Sequence, residues 1–128
     1  MTGLSPLLLD THAFIWARTE PSRLTRAVRE LLERTEHVYV SAGSAWETGI
    51  KVKAGKLKLP EPFEAGVEAS RFFKLNITFE HVQEAAALPL HHKDPFDRLL
   101  VAQARIEKLT LVTRDAAMQA YDVPILVA

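Results

Sequence analysis

"PLLLDTHAFIWAR" (residues 6–18) joins three consecutive leucines to an acid and then to a segment of helical character. Leucines with no polar residue between them do not alternate between core and solvent, so they suit a short strand buried on both faces. Asp10 closes that run, and Thr11 stands where the following helix, "THAFIWAR", needs a cap. A buried strand running straight into a helix is the first half of a parallel-sheet unit, which makes recurrence the next thing to look for.

It recurs. "HVYVS" (residues 37–41) reads as a strand and "AGSAWETGIKVKAG" (residues 42–55) as a helix that Ser41 caps and Gly55 ends. "LTLVT" (residues 109–113) is a third strand, followed by a short helix near "DAAMQAY", and "PILVA" is a last one. Between them, Ser22 to Glu36 places Leu24, Val28, Leu31 and Leu32 on one helical face. Pro60 and Pro62 bracket the start of a helix from about Glu61 to Phe73, and "KLNITF" alternates like a strand. A helix from Glu80 to Leu88 stops before Pro89, and a long one runs through Glu107. Short apolar strands alternating with helices predict an α/β fold, a mostly parallel sheet sandwiched by helices. In such sheets ligands bind beyond the carboxyl ends of the strands.

The totals fit one domain over residues 1–128, with residues 1–5 as a flexible lead. Hydrophobic residues are 48% and charged residues 25%, an ordinary globular balance. Lys plus Arg and Asp plus Glu are 16 each, so binding to a polyanion has to come from a local patch. With no cysteine, disulfides, thiolate metal sites and a thiol nucleophile are excluded. The apolar runs are far shorter than the roughly 20 residues of a membrane span, and the N-terminus lacks a basic region and cleavage site. A cytoplasmic protein without membrane contact is the expectation.

Four acids stand near element boundaries that face the same edge. Asp10 ends the first strand, Asp115 lies within two residues of "LTLVT", Glu47 is on the helix after "HVYVS", and Asp97 opens the long helix. Each also has a purely structural account. Asp10 and Asp115 suit helix caps, and Glu47 suits an i,i+4 pair with Lys51. In "HHKDPFDRLL" (residues 91–100), Asp94 before Pro95 is a cap, which puts Asp97 at the third helical position, where an acid complements the dipole. Gathered together, however, carboxylates repel by about 4 kcal/mol per pair at 4 Å and an effective dielectric of 20. A hard divalent cation relieves that repulsion.

"LLLDTHAFIW", "SAGSAWETGIKVKAGKLKL", "HHKDPFDRLLVAQA" and "LVTRD", in that order, resemble the motifs of PIN-domain ribonucleases, above all the VapC-type toxins of bacterial toxin–antitoxin pairs. The resemblance spans roughly Leu7 to Leu126. It implies a sheet of about five strands and a Mg²⁺-dependent endoribonuclease, with Mn²⁺ as a substitute. It makes Asp10 and Asp97 direct metal ligands and gives Glu47 and Asp115 metal, water or both to hold. It also implies products with a 5′-phosphate and a 3′-hydroxyl, a homodimer, and a small antitoxin whose tail fills the active-site groove.

Other residues carry weaker expectations. Thr11, Ser44 and Thr113 are placed to hydrogen-bond an acid or a metal-bound water. Lys51 and Lys53, from a run that continues to Lys56 and Lys58, together with Arg98 and Arg114, are candidate contacts to RNA phosphates. For Arg98 a structural ion pair is the alternative. His91 and His92 are expected in an exposed loop, Trp16 and Trp46 in the core or an interface, and Phe72 and Phe73 in the core. Two other functions compete: a PIN-like interaction module without catalysis, and a phospho-receiver domain of similar length and sheet type. "LTLVTRD" offers arginine where a receiver wants lysine, and "VYVSAG" lacks its aspartate.

Overall fold

Leu7–Leu9 (β1) lies at the centre of the sheet, and all three of its side chains are buried. The computed structural model describes residues 5–128, so the expected lead falls almost wholly outside the described residues. β1 pairs in parallel with Val38–Ser41 (β2) on one side and with Thr110–Thr113 (β4) on the other. Phe73–Leu75 (β3) adds to β2, and Ile125–Val127 (β5) adds to β4, both in parallel. The described residues thus form a five-stranded parallel sheet in the order β3-β2-β1-β4-β5. A receiver-type sheet runs 2-1-3-4-5, so this order excludes that alternative.

The pleat of β1 divides the core. Leu7 and Leu9 pack with Phe14 of Thr11–Thr19 (α1), Val28 of Arg26–Arg34 (α2) and Val67 of Phe63–Ala69 (α4). Leu8 faces Leu100, Val101 and Ala104 of Pro95–Glu107 (α6), against which Phe79–Ala87 (α5) packs. Helices therefore cover both faces, as the continuous apolar strands require. Ala42–Lys53 (α3) starts at the Ser41 cap, and Gly55, at φ +73°, turns the chain just after it.

Several boundaries differ from the sequence reading. The first long helix begins at Arg26, because Thr25 accepts the Val28 N–H and caps it, while Pro21–Arg23 form a separate 3₁₀ turn. Asp10, not Thr11, caps α1. α4 spans only Phe63–Ala69, and the segment after Asp115 makes only a 3₁₀ turn, Met118–Ala120. Phe72 packs on the core, but Phe73 is 46% exposed on the edge strand. Trp46 is 65% exposed on α3, with the Phe96 ring edge-on at 5.2 Å.

Candidate active site

The chain fills one side of β1 with β2 and β3 and then crosses to the other side with β4 and β5. Strand order therefore reverses between β1 and β4, and the crevice beyond their carboxyl ends is the expected ligand position. Register carries specific residues there. Leu9 is opposite Val112, so Asp10 and Thr113 come next on adjoining strands, and the Thr113 hydroxyl donates to Asp10 Oδ2 at 2.6 Å. Asp10 Oδ1 accepts the Ala13 N–H at 2.7 Å. Capping and a place in the crevice are thus compatible for this residue. Burial holds the Asp10 carboxyl above its ordinary range, against the pull of these two hydrogen bonds.

Glu47 arrives on the second turn of α3 and is 5% exposed. Its Oε1 accepts from Thr11 at 2.7 Å and its Oε2 from Lys51 at 2.9 Å. The single Thr11 proton goes to the carboxylate, so Ser44, 2.9 Å away, donates to the Thr11 oxygen. The i,i+4 pair foreseen from sequence is therefore present, but on a buried acid.

At the start of α6 the two aspartates divide. Asp94 Oδ1 accepts the Phe96 and Asp97 N–H groups at 2.8 and 3.3 Å, which makes it the cap. Asp97 faces the crevice. Its carboxyl is pushed up to about 7, first by burial and then by the charges of Asp94, Glu47 and Asp10, against an opposing pull from His92. Asp115 follows β4, with Oδ1 accepting the Ala117 N–H at 2.8 Å, and the Thr113 oxygen accepts the Asp115 N–H at 3.0 Å.

His92 corrects the expectation of an exposed histidine loop. Its Nε2 lies 2.8 Å from Asp97 Oδ2 and 3.1 Å from Asp115 Oδ2. These three donor atoms lie within 4.8 Å of one another, close enough to hold a metal ion. The only sequence signal for it was proximity to Asp94 and Asp97, because the bend that turns His92 inward also depends on distant Tyr121. His91 is exposed and packs on the Tyr121 ring.

The basic residues have different surroundings. Arg98 makes no ion pair among the described residues; its Nη1 donates to the carbonyls of His92 and Lys93 at 3.3 and 3.2 Å. Arg114 donates to the carbonyls of Ala128 and Arg23 and lies over the Trp16 ring, 4.7 Å from its centroid. Lys51 lines a cleft of about 660 Å³ with Thr11, Trp16, Arg23, Lys56 and Lys58. Lys53, two residues further along α3, lines a different groove with Val52 and Phe63.

A parallel α/β domain with acids brought to its topological switch point from four separate segments is a recognisable class. The family model described as PIN domain matches residues 7–124, and the chain belongs to the PIN-domain family. It is 29% identical over 124 residues to ribonuclease VapC22 of Mycobacterium tuberculosis, which covers 94% of this chain and 95% of that protein. Among solved structures, DNA-bound VapBC of Salmonella typhimurium matches at a TM-score of 0.67 and 19% identity, covering 96% of this chain and 98% of the other. VapBC2 of Rickettsia felis bound to a promoter DNA fragment matches at 0.68 and 15%, covering 94% and 96%. No helix among the described residues is long and apolar enough to cross a membrane.

Proposed function

We propose that this protein is a divalent-metal-dependent endoribonuclease, the toxin of a VapC-type toxin–antitoxin pair. The observation that carries the reading is the crevice at the carboxyl ends of β1 and β4, to which Asp10, Glu47, Asp97 and Asp115 come from separate segments, with the Asp97 carboxyl pushed up to about 7. A carboxyl held up first by burial and then by neighbouring negative charge fits a site completed by a cation. The carboxylate donors are all oxygens, which suits Mg²⁺ or Mn²⁺. Asp10 and Asp97 would hold the ion, with Glu47 and Asp115 completing its surroundings. Mg²⁺, when bound, supplies a Lewis acid beside the phosphate and makes water more acidic.

The chain's own residues have separable tasks. Glu47 is the group to orient the attacking water and take its proton, and Thr11 and Lys51 fix its two oxygens from either side. Thr113 holds Asp10 at the end of β1. Lys51, Lys56, Lys58 and Arg23 line the cleft beside Thr11 and give the RNA backbone a basic track, with Arg114 over Trp16 at its edge. The likeness to VapC22 and to toxin–antitoxin complexes supports a small antitoxin as partner, and the sequence resemblance supports a homodimer.

Asp97→Asn tests the reading. Asn is tolerated near a helix start, so the variant should fold while losing cleavage of total RNA by at least about a hundredfold, the scale on which removing a group that stabilises the transition state acts. Cleavage at the wild-type rate in a folded Asp97→Asn protein overturns the site. A wild type that binds metal but cuts no RNA returns the interaction module instead.

A further inference from the structure

We propose that His92 is a positioning residue of this centre, its Nε2–H holding Asp115 beside Asp97. Asp97 belongs to α6 and Asp115 to the loop after β4, and His92 Nε2 reaches both, at 2.8 and 3.1 Å. The other ring nitrogen decides the chemistry. Nδ1 accepts the Asp94 backbone N–H at 3.3 Å, so in the neutral ring the proton sits on Nε2. An imidazole whose Nδ1 accepts in this way presents a hydrogen, not a lone pair, to the acids. It is therefore a donor to the Asp115 carboxylate with Asp97 Oδ2 in contact, distinct from a nitrogen ligand to a cation.

The loop around the ring is braced in a manner that suits a fixed part. The His92 backbone N–H donates to the Tyr121 hydroxyl at 3.0 Å, and that hydroxyl donates to the Pro89 carbonyl at 2.5 Å. The His92 carbonyl accepts from Arg98. Tyr121 is buried, so the loop is tied to the core at the point where the ring turns inward. Asp115 is the most exposed of the four acids and sits on irregular chain, which makes it the one that most needs an external tether. Hydrogen bonds to ligating carboxylates typically matter about 10–100-fold in metal affinity.

The inference rests on the cation-site reading, and its test separates the two. Nitrogen-15 spectra of the full-length, metal-free protein at mildly alkaline pH should show the His92 proton on Nε2. Mn²⁺ titration calorimetry should then give about tenfold weaker binding for His92→Ala and His92→Asn. His92→Gln should stay near wild type, because the Gln amide reaches the depth of Nε2 and the Asn amide only that of Nδ1. A proton on Nδ1, equal Mn²⁺ affinity in all four proteins, or Nε2 coordination in the Mg²⁺-loaded spectrum overturns this role for His92. A wild type that takes up no Mn²⁺ sinks the cation site, and the metal-free spectrum then still decides the role of His92.

Discussion

Asp97 combines the third position of a capped helix with a carboxyl pushed up to about 7, and this has a thermodynamic consequence. A folded-state pKa above the unfolded value of about 3.9 leaves the native state relatively stable below that value. The contribution is lost as pH rises through about 7, because the native carboxyl must then ionise among other acids. In metal-free protein the stability of wild type relative to Asp97→Asn should therefore fall between about pH 4 and pH 8. At pH 8 the variant should be the more stable by ~1–3 kcal/mol in urea unfolding, an order of magnitude set by about 1.4 kcal/mol per pKa unit. Parallel stability curves would refute this. Mg²⁺ should act oppositely on wild type, adding ~2.7 kcal/mol at a hundredfold excess over its Kd, and thermal melts that ignore the ion count against a preformed site. Asp94→Asn, by contrast, should leave Mn²⁺ binding nearly intact, since Asn caps a helix about as well as Asp. At this scale the four acids were legible because strand ends and helix starts are written locally. His92 was not, because its position is set by a loop that Tyr121 anchors from 29 residues away.

Among the elements, α3 and α6 have to meet closely for Glu47 and Asp97 to share a crevice, and Gly43 sits at that approach. A Cβ there would lie 2.9 Å from Leu99 Cδ2 and 3.3 Å from Ser41 Oγ. Leu99 is buried on α6, so it has little room to yield. Gly43→Val should cost about 2 kcal/mol by overpacking and push the helices apart. Equilibrium unfolding reads the first effect, and weaker Mn²⁺ binding in the folded fraction reads the second. Stability and metal affinity both at the wild-type level would show that the approach is not limiting. The alternation of strands and helices was readable from apolar runs alone, whereas helix limits depended on competition among caps. Of Ser22, Thr25 and Thr11, Thr25 alone has a side chain that caps a helix, and Asp10 caps α1 in place of Thr11.

For the molecule as a whole, equal numbers of acidic and basic residues mean that attraction to RNA cannot come from net charge. The fold gathers basic residues locally instead. The turn at Gly55 brings Lys56 and Lys58 alongside Arg23 and Trp16 in the cleft that begins at Thr11, while Lys53 leaves on another face. Four lysines that look equivalent in "KVKAGKLK" are therefore sorted by helix phase and a turn, which is why their separate roles were not legible beforehand. If an RNA strand follows that cleft, each lysine that meets a phosphate releases condensed counterions, worth a slope of about −0.7 in log K against log salt for single strands. Replacing both Lys56 and Lys58 with Glu should therefore flatten the slope by about 1.4 and weaken RNA binding most at low salt. Lys53→Glu should change the slope far less, and Mn²⁺ affinity should stay the same in all three proteins. Fluorescence anisotropy with a labelled single strand across a salt series measures this directly. An unchanged slope in the double variant would remove the cleft as the RNA path while leaving the acidic centre in place, and a slope that follows Lys53 would move the path to the neighbouring groove.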